Sequence, residues 1–67
     1  MRVFDEIIGS SADGKQLHKI EAYGNSTETK PSEESVGGPI IDGSICIETD
    51  TGKAYLFNEA SSDWVEV

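Results

Sequence analysis

His18 is the chain's only imidazole and Cys46 its only thiol, and these two side chains bound the chemistry that is available. A nucleophile needs a neighbouring base, and the base needs a third group to orient it. Serines are plentiful, but His18 lies in a segment of ambiguous structure, so the expectation is an exposed His18 with no catalytic task. Cys46 alternates with Ile45 and Ile47 and reads as a small buried hydrophobe, not a reactive thiol. One Cys cannot close an intrachain disulfide, and one Cys with one His makes no zinc site. Asp42-Gly43 and Asp50-Thr51-Gly52 are where a calcium loop would lie. They lack the spaced ligands that end in a bidentate Glu, and turn chemistry accounts for both. No catalytic, metal or cofactor-binding residue is therefore assigned. Asn25-Ser26-Thr27 matches a glycosylation sequon, read as a chance match because no basic-then-apolar start suggests a secretory signal.

One set of side chains has a live functional alternative: Tyr55, Phe57 and Trp64. Such rings can anchor a protein contact, stack on the C–H faces of a sugar, or form a local core under the N-terminal segment. Core and protein contact rank close together, and sugar binding ranks behind them.

The elements that carry these rings lie between Asp42 and Val67, which read as three short strands. Thr49-Asp50-Thr51-Gly52 fits a three-residue hairpin loop, with Asp50 in the turn and Gly52 in the left-handed position. Thr49 then faces Lys53, Ile47 faces Tyr55 and Ile45 faces Phe57. A four-residue loop over Glu59-Ala60-Ser61-Ser62 sets Phe57 against Trp64 and Leu56 beside Val65. One face is then expected to carry Ile45, Ile47, Tyr55, Phe57 and Trp64; the other carries Cys46, Ala54, Leu56, Val65 and Val67. A one-residue error in the second loop would move Trp64 across the sheet. Both faces are apolar in either case, and so small a sheet cannot cover two faces by itself.

The N-terminal half is less regular. Met1–Ile8 fits a strand or an extended arm, and Asp13-Gly14 marks a turn. Leu17, Ile20 and Gly24 have helical spacing, but the segment is short for a helix. Strands are preferred there, with Gly24-Asn25 as a candidate II′ turn pairing Ile20–Tyr23 with Ser26–Thr29. Residues 31–43, with Pro31, Gly37-Gly38-Pro39 and a solvated Glu33-Glu34 pair, have linker composition. The expected fold is mainly β: a C-terminal antiparallel meander (44–67), an extended N-terminal arm with room for an additional hairpin (1–30), and a linker (31–43), one small domain in all.

With 67 residues, a single core is marginal without a staple. The formal net charge of −8 argues against nucleic-acid backbone and anionic lipid as partners, and serves mainly to keep a small protein soluble. No apolar run is long enough to span a membrane. The start at Met1 suggests an intact intracellular product.

The C-terminal half resembles small virion proteins of tailed bacteriophages. The resemblance runs from Thr29-Lys30-Pro31 through Asp42-Gly43-Ser44 and Glu48-Thr49-Asp50-Thr51-Gly52-Lys53-Ala54-Tyr55, an Asn58-containing turn and Trp64. The Gly37-Gly38-Pro39-Ile40-Ile41 stretch departs from the pattern. Similar modules occur in head-associated, fibre and tail proteins, and the resemblance implies no catalytic residues and no cofactor. It leads to the expectation of a structural protein located in the virion, most simply a capsid decoration or head-fibre protein. Its partners would be the major capsid protein, other virion proteins or further copies of itself. Phe4, Ile7, Ile8, Ile45, Ile47, Tyr55, Phe57 and Trp64 are the expected interface. A tail or receptor-binding fibre component that meets a host glycan is the first alternative. A host-directed acidic inhibitor is the second, weakened because thirteen Asp and Glu residues are scattered along the chain. An enzyme ranks last.

Overall fold

β1 (Arg2–Ser10) and β2 (Gln16–Gly24) form a long antiparallel hairpin in the computed structural model, which describes residues 1–67. Its tip is the turn that Asp13-Gly14 marks: Gly14 adopts φ 86° and donates its N–H to the Ser11 carbonyl at 3.0 Å. The extended arm expected at the N-terminus is thus a strand, because β2 pairs with one side of its backbone along its length. A bulge between Ile7 and Gly9 leaves Ile8 without an opposite residue. The Gly24-Asn25 hairpin does not form. β2 has β1 on one side and β3 on the other, and Asn25 instead closes a local turn with the Glu28 N–H.

The C-terminal meander consists of β3 (Ile45–Glu48), β4 (Ala54–Asn58) and β5 (Asp63–Glu66). Its second connection has the expected length, so Phe57 faces Trp64 and Leu56 faces Val65. The first differs by one residue. Ile45 faces Leu56, Cys46 faces Tyr55 and Ile47 faces Ala54, because the loop is closed by Glu48 and Lys53 and holds four residues, not three. Strand side chains alternate with a period of two, so this slip moves all of β3 to the opposite face from the one expected.

Gly52 stands at φ 74°, and its N–H donates to the Glu48 carbonyl at 2.8 Å. A β-branched residue is strained there. Gly52→Val should therefore cost roughly 1–3 kcal/mol, read as a lower urea midpoint; an unchanged midpoint would refute this account of the loop.

β2 and β3 pair in parallel, giving one five-stranded sheet in the order β1-β2-β3-β4-β5. A parallel pair needs a long crossover, and residues 25–44 supply it. The stretch read as a linker is therefore the cover of the sheet. It contains a single helical turn, α1 (Glu33–Val36), capped by a reciprocal Ser32–Ser35 pair and ended by Gly37 at φ 87°. The crossover is fastened along its length. Pro39 O accepts from His18 N–H, Ser44 Oγ from Ile20 N–H, and Ser44 O from Phe57 N–H, at 2.9 to 3.1 Å. Glu33, read from sequence as a solvated linker residue, accepts the Ile40 N–H at 2.9 Å. A Cβ on Gly38 would stand 2.9 Å from the Gln16 carbonyl oxygen, so a bare backbone is what lets the cover approach β2. The core lies between cover and sheet: Ile20, Ala22, Ile40, Cys46 and Phe57.

Candidate functional site

Alternation along the strands gives the sheet one covered and one open face. On the open side a transverse row runs Phe4, Glu21, Ile45, Leu56, Val65, and the next row runs Arg2, Tyr23, Ile47, Ala54. Nothing in the chain covers them. Phe4, Leu56 and Val65 are 53%, 44% and 49% exposed, and Phe4 packs edge-on against Tyr23 with ring centroids 6.3 Å apart. Single exposed apolar residues are ordinary, whereas a contiguous apolar face marks an interaction surface.

The expected interface residues divide between the two faces. Phe4, Ile45 and Ile47 belong to the open one. Ile7 lies opposite His18, on the covered side but at an exposed position, and Ile8 sits exposed at the bulge. Tyr55, Phe57 and Trp64 face the cover. Phe57 is buried and meets Trp64 edge-to-face at 5.1 Å, and the Trp64 Nε1–H donates to the Pro31 carbonyl at 2.8 Å. Phe57 is core, and Tyr55 and Trp64 pack half-buried against it beneath the crossover. Asp50 and Gly52 lie in the β3–β4 loop. Both Asp50 carboxylate oxygens bind Ser26, from its N–H at 2.8 Å and its hydroxyl at 2.6 Å, and the hydroxyl bond holds the Asp50 carboxyl below the usual range.

Sequence reasoning missed Tyr23, Leu56 and Val65 as members of the open face. The signal for Leu56 and Val65 was present in their strand alternation, but only the correct loop length assigns them to the same side as Ile45 and Ile47; Tyr23 joins that side through the parallel pairing of β2 with β3.

A shallow groove of about 460 Å³ runs along the margin of the cover between Lys30–Glu33 and Tyr55, Asp63 and Trp64. It is where a sugar ring would have to stack. The Lys30 ammonium already caps the Tyr55 ring, 4.1 Å from its centroid, and Trp64 is engaged by Phe57 and Pro31. These contacts argue against the glycan reading at this strip.

Two polar pairs lie under or beside the cover. His18 is buried, not exposed as expected, because residues 38–40 pack over it; its Nδ1–H donates to Asp5, 2.8 and 2.9 Å from the two carboxylate oxygens. That bond ties β1 to β2 and brings no nucleophile with it. Glu48, also buried, accepts from Lys30 Nζ at 2.9 Å and from the Thr51 hydroxyl at 2.8 Å. The Lys30 bond, seconded by Thr51, holds the Glu48 carboxyl below the usual carboxylate range, and the same bond holds Lys30 above its ordinary value. Burial pushes the Cys46 thiol up, as suits an inert core residue. No three His, Cys, Asp or Glu side chains stand together as a metal site would require.

The Lys30–Glu48 pair makes a pH prediction. A carboxyl lowered by folding contributes stability that is present above its unfolded value and lost as pH falls through the folded one. A raised lysine contributes stability present below its unfolded value and lost as pH rises through the folded one. The pair thus acts between about pH 4.3 and about pH 10.4, the ordinary Glu and Lys values. The urea midpoint should fall on acidification below that lower bound, and Glu48→Gln should flatten the fall. Glu28 and Asp50, lowered in the same direction, leave a residual slope. Identical acid limbs in wild type and Glu48→Gln would remove the pair from the account.

These features define a class by architecture: a small mixed sheet with a built-in cover on one face and an apolar surface on the other. No protein-family model matches the chain, and no curated protein or solved structure gives a significant match.

Proposed function

We propose that the chain is a non-enzymatic structural component of a bacteriophage particle, a capsid-associated accessory protein that docks its open sheet face on shell subunits. The observation that carries this reading is the uncovered apolar group Phe4, Tyr23, Ile45, Leu56 and Val65, which Tyr23 links past the charged Glu21, on a sheet whose opposite face is already sealed. The phage setting rests on the resemblance of the Glu48–Tyr55 and Trp64 segment. Full burial of a large apolar side chain is worth roughly 1.5–3 kcal/mol, so completing the burial of several half-exposed ones supplies a modest affinity per copy. Repeated over many shell positions, that stabilises the shell by mass action. A net charge of −8 favours a docking partner with a basic rim. The test is a mass-spectrometric inventory of purified particles, joined to a cryo-EM map. The expected result is a multi-copy protein on the head with Leu56 and Val65 against a neighbouring subunit. A protein found only in the lysate would refute the virion reading, and one found on the tail, with adsorption lost in its absence, would replace the head by the receptor-binding alternative.

A further inference from the structure

β1 is the last strand of the sheet on its side, so one edge of its backbone faces no other strand, and all nine of its residues are exposed. An edge of this kind is a template for strand addition unless it is short, charged or bulged. The bulge at Ile7–Gly9 interrupts only the far end, and Arg2–Glu6 remain regular. Three of these five residues, Arg2, Asp5 and Glu6, are charged, so the edge accepts only a strand whose charges complement them. β5, the opposite edge, has four residues, of which Asp63 and Glu66 are acidic, so two β5 edges would repel one another.

From this edge we infer that two copies pair through β1, antiparallel about a two-fold axis passing through Phe4. Such an axis stands normal to the sheet and therefore sets open face beside open face. Each permitted register centres on one residue, and charge separates them. An axis at Asp5 opposes Asp5 to itself, and an axis at Glu6 does the same for Glu6. An axis at Val3 sets Arg2 against Phe4, a cation–π contact in place of an ion pair, and leaves Glu6 without a positive partner. Only the axis at Phe4 sets Arg2 against Glu6 of the second copy, twice by symmetry, with Phe4 against Phe4 between them. Arg2, Phe4 and Glu6 all lie on the open face, since their opposite residues on β2 are Tyr23, Glu21 and Lys19. Opposite charges and facing aromatic rings are both favourable cross-strand pairs. On the other face Val3 meets Asp5 of the second copy, whose carboxylate is already held by His18. The two open faces become one, with the two Phe4 rings across the axis and Tyr23 of each copy packed diagonally against its own Phe4. A two-fold contact closes on itself, whereas β1 adding to β5 of another copy would propagate into fibres.

Five residues per copy (Arg2–Glu6) make a small contact beside the roughly 1,600 Å² of a standard interface, so the dimer belongs in the micromolar range. Repulsion between two chains of charge −8 is long-range and is largely screened at about 0.15 M salt, while the contacting pairs are screened less.

This inference deepens the multi-copy reading above but is tested on the purified protein in solution. Sedimentation equilibrium over a roughly hundredfold concentration range through the micromolar should show monomer and dimer in exchange. Arg2→Glu, at an exposed position, should weaken the dimer about tenfold or more, because two attractive pairs become two repulsive ones. The double variant Arg2→Glu with Glu6→Arg should restore it. Phe4→Cys should give a disulfide-linked dimer on oxidation, since directly opposite Cα atoms lie about 4.5–5.5 Å apart, within bridging range; Ile8→Cys should not. A wild-type monomer throughout, a dimer indifferent to Arg2→Glu, a double variant as weak as the single one, or bridging at Ile8 in preference to Phe4 would each overturn the pairing. A strict monomer that still occupies particles would sink the dimer alone, and a dimer missing from particles would sink the virion reading alone.

Discussion

Leu56→Asp protein should fold with a urea midpoint near wild type and yet be missing from purified particles. Leu56 stands in the middle of the open face, between Ile45 and Val65, and is 44% exposed. In the free protein an Asp there remains hydrated, so the penalty is confined to strand propensity and some lost packing, about 1 kcal/mol. Docked, the same carboxylate would be buried without a partner, which costs on the order of 3–5 kcal/mol. That is a loss of roughly two to three and a half orders of magnitude in affinity, enough to empty the sites at limiting concentration. Leu56→Thr, which keeps a strand-forming shape while removing apolar area, should give intermediate occupancy. Glu34→Ala, exposed on the cover and outside the open face, is the control and should occupy particles normally. Wild-type occupancy of Leu56→Asp would show that this face does not dock.

Phe57→Ala should unfold the protein or leave it without a cooperative transition. Phe57 is 4% exposed, meets Trp64 edge-to-face and is packed with Ile20, Ala22, Ile40 and Cys46. Truncating a buried Phe typically costs about 3–5 kcal/mol, and a chain of this length has roughly 3–10 kcal/mol in all. Trp64→Phe, which keeps a ring but removes the bond to Pro31, should cost less, roughly 0.5–1.5 kcal/mol. Circular dichroism with urea titration reads both. A Phe57→Ala protein that unfolds cooperatively at the wild-type midpoint would show that the ring is not part of the core. Loss of Phe57→Ala protein from particles would therefore report on folding, so the covered aromatics cannot serve as probes of docking.

What was legible in the sequence is what local chemistry dictates. Gly52 and Gly14 mark their turns because each takes a positive φ, and Phe57 faces Trp64 because the second connection has its expected length. The first connection shows how little separates success from error: one residue in the loop moved Ile45 and Ile47 from beside Tyr55 and Phe57 to the opposite face. Pairing of β2 with β3 left no trace, since parallel partners are joined by no tight turn. The crossover read as a linker because its fastenings are single polar bonds to residues more than 15 positions away, such as Ser44 to Ile20, Lys30 to Glu48 and Trp64 to Pro31. His18 looked exposed for the same reason, since its cover arrives from residues 38–40. β1 resisted assignment because all of its side chains are exposed, so no alternation of burial shaped its sequence.

The parallel junction between β2 and β3 is also where the open face is completed. Phe4 and Tyr23 belong to the β1–β2 hairpin, and Ile45, Leu56 and Val65 to the β3–β5 meander. Neither half alone carries more than a fragment of that surface. The 25–44 crossover joins them, so a lesion in the crossover that separates the halves would split the open face without touching any residue on it.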